Sequence, residues 1–138
     1  MNMLIKINEF KIENIFFNDS IKNTVLKDSN FIKILYSNQF FLMNSLYFNI
    51  KINKNNYFSI INDIINIEKN ILNLFNQNID HKYNLKEKLI NIINYFEKTK
   101  YNNIEYIIKI SGIWKNEYNM GITFKIININ HQCKKISN

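Results

Sequence analysis

The chain has 138 residues and a formal charge of +7, from 18 basic and 11 acidic side chains, with two histidines, one cysteine, two glycines and no proline. That length suits one domain, residues 1–138, around a single core. No charge-free apolar run of about 18 residues occurs, which argues against a helical membrane span. The lone cysteine, Cys133, permits no internal disulfide and fits a reducing compartment.

The opening run "LIKINEFKIENIFF" (4–17) alternates apolar and polar residues over much of its length, predicting a half-buried strand. Its charges, and the lack of a small-residue cleavage site, do not fit a secretory signal. "FIKILYS" (31–37) and "LYFNIKIN" (46–53) repeat the alternation. In the second, Leu46, Phe48, Ile50 and Ile52 share one face, while Tyr47, Asn49, Lys51 and Asn53 share the other. "NDS", "KDSN" and "KNN" supply turn-forming residues between these runs. The period then becomes helical. From Tyr57 to Phe75, Ile60, Ile61, Ile64, Ile65, Ile67, Ile71, Leu72, Leu74 and Phe75 predict an amphipathic helix, with Ser59 or Asn62–Asp63 near its start. "NLKEKLINIINYFEK" (84–98) predicts a second helix, capped by Asn84 with Glu87 three residues on. The intervening "NQNIDHKYN" reads as a polar connection. "IEYIIKISGIW" (104–114), the turn "KNEYNM" and "GITFKIININ" (121–130) predict a long closing hairpin. The tail, 131–138, is expected to be frayed and flexible. The fold class expected is mainly β with inserted helices (α+β).

No motif for catalysis stands out. His131 and Cys133 form an H-x-C pair, but a zinc site needs three or four ligands and His81 is the only other histidine. Gly112 and Gly121 fit no phosphate-binding loop. Asp63, Glu68, Glu87 and Glu97 are assigned to solvated helix faces. The expectation is therefore a protein that is not an enzyme, with no cofactor and no metal. The only Trp lies between the two glycines, in a chain dominated by residue types that A- and T-rich codons encode. Glycines kept there mark positions without room for a Cβ, at a bulge or a close strand approach.

Binding is the better prospect. A basic, aromatic-rich small domain points to nucleic acid or another anionic surface, although codon bias also enriches Lys. The strand faces opposite the apolar sets carry Lys33, Tyr47, Lys51, Lys109 and Lys125, with Trp114, Lys115 and Tyr118 around the closing turn. Lysines that neutralise phosphates beside rings that stack on unpaired bases suit single-stranded nucleic acid. All 18 basic residues are Lys, which disfavours bidentate reading of guanine edges. The helix at 57–75 carries only Lys69 as a basic residue, so it does not read as a recognition helix.

Within "IIKISGIWKNEYNMGITFKIININ", Ser111-Gly112-Ile113-Trp114 and Met120-Gly121-Ile122-Thr123-Phe124-Lys125 resemble a hairpin of the single-stranded-DNA-binding protein family. That family occurs in large nucleocytoplasmic DNA viruses and is similar to the OB-fold protein of short-tailed phages. "FIKILYSNQFFLMNSLYFNIKI" echoes an earlier block of the same family, with "LMNS" where the family has a Pro-containing segment. The A/T-rich composition and small size also suit the virus-like linear cytoplasmic plasmids of yeasts. The resemblance implies an OB-fold-like small barrel that coats displaced single strands in the cytoplasm during replication, as a possible homo-oligomer. Partners would include replication or transcription proteins of the same element, and no membrane. Phage-type relatives carry an acidic tail that engages replication partners; "KKISN" here does not match it. Two rivals remain: an accessory protein-interaction subunit docking through the helix at 57–75, and a protein binding duplex ends.

Overall fold

The two helical phases fold where the spacing puts them. In a computed structural model that describes residues 3–18, 21–22 and 29–129, α1 spans Tyr57–Phe75 and α2 spans Asn84–Lys98. Ile61, Ile64, Ile67, Ile71 and Leu72 are buried along α1, and Leu85, Leu89, Ile93 and Phe96 along α2. These are the three- and four-residue steps of one helix face. The expected tail, with His131 and Cys133, lies outside the described residues, as do most of the turns at "NDS" and "KDSN".

Neither helix begins as expected. Asn56 occupies the cap position before α1 but makes no side-chain cap. Asn53 and Asn56 instead close the preceding turn reciprocally: Asn53 Oδ1 accepts from the Asn55 and Asn56 amides, and Asn56 Oδ1 from the Asn53 amide, all at 2.8–2.9 Å. Asn84 is the first residue of α2 rather than its cap. The cap comes from α1, where the Glu68 carboxylate accepts from the Leu85 and Lys86 amides at 2.9 and 3.0 Å. Glu68 is therefore not on a solvated face but fully buried, one turn from Ile64 and Leu72 on the apolar stripe. At the other end of α2, Lys54 Nζ donates to the Phe96 carbonyl at 2.6 Å and lies 4.0 Å from the Phe96 ring centroid. An anion at the N-terminus and a cation at the C-terminus match the helix dipole.

The strands are β1 (Leu4–Ile5), β2 (Ile15–Phe17), β3 (Ile21–Lys22), β4 (Asn30–Ser37), β5 (Leu42–Asn44), β6 (Leu46–Asn53), β7 (Asp80–Lys82), β8 (Asn103–Lys115) and β9 (Asn119–Asn128). β8 is the organising strand. One edge pairs antiparallel with β9; the other pairs with β6 through Asn103–Ile110 and then with β4 through Gly112–Lys115. β4 leaves β8 at Lys33 and pairs its second half with β2 and β5. β5 and β6 fill the resulting wedge, and the chain bends between them at Ser45, which takes φ 78°. The fold is mainly β with two helices, both inserted between β6 and β8 except for the short β7, so it is α+β. Among the described residues no ladder joins β7 or β9 to β1 or β2. α1 packs against α2, β6 and β9, over a core that includes Phe48, Ile50, Ile108 and Ile110.

Two elements depart from expectation. Residues 4–17 do not form one strand: β1 and β2 are separated by two 3-10 turns, Ile7–Glu9 and Ile12–Asn14. Ile7 and Phe10, then Ile12 and Ile15, recur at steps of three, the 3-10 period. The "polar connection" contains β7, an edge strand parallel to β9. Among the described residues, no helix is long and apolar enough to cross a membrane.

Candidate nucleic-acid interface

Strand alternation sorts the candidate side chains by face. On β6, Leu46, Phe48, Ile50 and Ile52 are buried, leaving Tyr47 and Lys51 on the opposite face. On β8, Ile104, Tyr106, Ile108 and Ile110 are buried, and Lys109 alternates with them. A bulge then changes the phase. Ile110 pairs with Phe124 and Gly112 with Thr123, leaving Ser111 as the extra residue, its hydroxyl donating to the Thr123 carbonyl at 3.2 Å. An inserted residue reverses which side chains face inward beyond it. Ile113 thus points to the core and Trp114 shares the outward face with Lys109.

Gly112 is required by space, since neither glycine has positive φ. A Cβ there would run into the Ile32 carbonyl oxygen and the Phe31 ring. At Gly121 a Cβ would meet the Trp114 indole and Asn84 Oδ1. The expectation of a bulge and a close strand approach holds at Gly112, and a ring covers Gly121.

The registers place Lys33, Tyr47, Lys51, Lys109, Trp114 and Lys125 on one outward face. Lys125, Lys109, Tyr47 and Leu4 form one row across β9, β8, β6 and β1. Lys33, Gly112 and Thr123 form the next row, and Phe31, Trp114 and Gly121 the one beyond. Lys109 Nζ lies 5.7 Å from the Tyr47 ring centroid. Lys51 stands opposite Glu105, a local counter-charge. Trp114 is half-buried, and its indole N–H donates to Asn84 Oδ1 at 3.2 Å. It therefore offers an edge and part of a face, not a free ring. Lys115 has the other parity, beside Met120. Tyr118 sits 73% exposed in the hairpin turn, which Asn116 holds by accepting from the Tyr118 and Asn119 amides.

Lys109 and Lys125 are directly opposed on neighbouring strands. Among the described residues the one ion pair is Lys82–Asp80, so no described carboxylate pairs with either. Also among the described residues, no group of three or more His, Cys, Asp or Glu side chains is placed to hold a metal. The chain matches no protein-family model, no curated protein and no solved structure.

Proposed function

We propose that this protein binds single-stranded DNA on the outward face of β9, β8 and β6, with little sequence preference and without catalysis. Support comes above all from the opposed pair Lys109 and Lys125. Like charges facing each other across a ladder cost the fold stability, and a phosphate between them removes that repulsion. Tyr47 beside Lys109 offers a ring on which a base stacks, and Lys33 and Lys51 extend the phosphate track along the face. In this reading the sheet, with two helices inserted between β6 and β8, is the OB-type small barrel that the resemblance implies. Coating displaced strands of an A/T-rich replicating element in the cytoplasm is the role such a surface suits.

Anisotropy titrations with labelled oligonucleotides, single-stranded and duplex, at several salt concentrations test this. If Lys33, Lys51, Lys109 and Lys125 each neutralise one phosphate, log K for the single strand falls against log salt with a slope of about −3. Duplex binding as tight as single-strand binding, or a flat salt dependence, refutes the proposal.

A further inference from the structure

Beside this face lies a cleft of about 530 Å³ between the 3–14 segment and the tip of the β4–β5 hairpin. It is large enough for a small planar ligand. Tyr36 in its lining belongs to a run of rings: Phe10 and Phe41 stack on Tyr36 at centroid distances of 5.7 and 5.8 Å. Phe40 stands at the rim, 81% exposed. Its position is not left to chance, because Asn38 Oδ1 accepts from the Phe40 and Phe41 amides at 2.7 and 3.2 Å. The Asn38 amide in turn donates to the Phe41 carbonyl at 3.1 Å. The Tyr36 hydroxyl accepts from the Lys11 amide at 2.9 Å, tying the segment across the strand. An exposed ring on a hydrogen-bonded tip marks a contact site rather than a packing defect.

Glu9, Lys11 and Glu13 also line the cleft. Two carboxylates against one ammonium repel a phosphate, yet they accept hydrogen bonds from the amino groups of a base. Leu4 links the two regions: it ends the row Lys125–Lys109–Tyr47 on β1 and lines the cleft. Adjacent strands are about 4.8 Å apart, so about 14 Å separates β9 from β1 across the face.

We propose that this cleft takes one unpaired nucleobase of the strand bound on the sheet, stacked on Phe40. Bases carrying an exocyclic amino group are favoured over thymine, through Glu9 and Glu13. The proposal rests on the single-stranded-DNA reading, and adds to it a place where the otherwise sequence-tolerant surface discriminates.

Oligo-dC and oligo-dT of equal length, titrated against wild type, Phe40→Ala and Glu9→Gln/Glu13→Gln, provide the test. Wild type is expected to bind oligo-dC about tenfold more tightly. Phe40→Ala should weaken both by about tenfold through lost stacking, with thermal melting showing that the fold is retained. The double Gln variant should bind both, because lost repulsion favours any strand, but with the dC preference reduced. Equal binding of both oligonucleotides by wild type, or a preference untouched by either variant, overturns the cleft proposal and leaves the sheet proposal standing. Failure of wild type to bind either one overturns both.

Discussion

Charged side chains in this molecule are used in two opposite ways. Around α2, Glu68 and Lys54 reach from other elements to the two ends of one helix, and each finds backbone partners there. On the outward sheet face, Lys109 and Lys125 oppose each other, and no described carboxylate pairs with either. The first set fixes the fold. The second weakens it slightly and leaves charge available for a ligand, so the two sets should respond separately to mutation.

The largest effect is expected from Glu68→Ala, which strips a buried and a part-buried amide of their acceptor. A loss of about 3 kcal/mol in urea unfolding, with an unchanged denaturant slope, is the expected result. Glu68→Gln keeps one acceptor and should lose less. Burial raises the Glu68 pKa above its ordinary 4.5, outweighing the two amide hydrogen bonds that lower it. Between those two values the native state holds a proton that the unfolded chain has released. Stability from this group is therefore fully present below 4.5 and declines as pH rises through the folded-state pKa. Comparing wild type with Glu68→Gln across that window should isolate the decline; parallel pH profiles would remove Glu68 as its source.

Lys54→Met comes next. It retains packing on Phe96 but loses the charge-assisted bond to the helix end, for about 1 kcal/mol. The smallest stability effect carries the opposite sign. Lys125→Gln relieves the Lys109 repulsion and should stabilise by about 0.2–1 kcal/mol, while weakening single-strand affinity and making the salt slope less negative. If Lys125→Gln destabilises the fold, or Glu68→Gln changes the salt slope, the division between the two sets fails.

Legibility in the sequence followed the range of the interactions involved. The spans of α1 and α2, though not their caps, were readable because a periodic apolar face is a local property of the chain. The β8–β9 hairpin was readable for the same reason, and Gly112 signalled the close approach to β4. Glu68 was misplaced because its partners lie in another helix. Its signal was present, since it falls in phase with Ile64 and Leu72, but a charged residue in an apolar stripe names no partner. β7 was missed because three residues, Asp80–Lys82, carry no alternation to detect. Of the candidate site, alternation alone grouped Tyr47 with Lys51. Lys125 joins that face through its register with Lys109, but bringing Lys33 and Trp114 onto it required the bulge at Ser111, and no periodicity reveals a phase change before the register is known. Phe40 was not singled out, because exposure at a loop tip is a property of the folded hairpin.

The placement of both helices between β6 and β8 also bears on how the chain reaches this state. The ladder from Leu46↔Ile110 to Asn53↔Asn103 cannot close until everything between those strands has been gathered in. Closing so long a loop is entropically costly before any contact repays it. The helices and the β8–β9 hairpin, whose contacts are short in sequence, are expected to form early, with β6 docking onto β8 as the slow step. Until β6 arrives, the inner edge of β8 is an unpaired apolar strand, and chains meeting at that stage are exposed to edge-to-edge association.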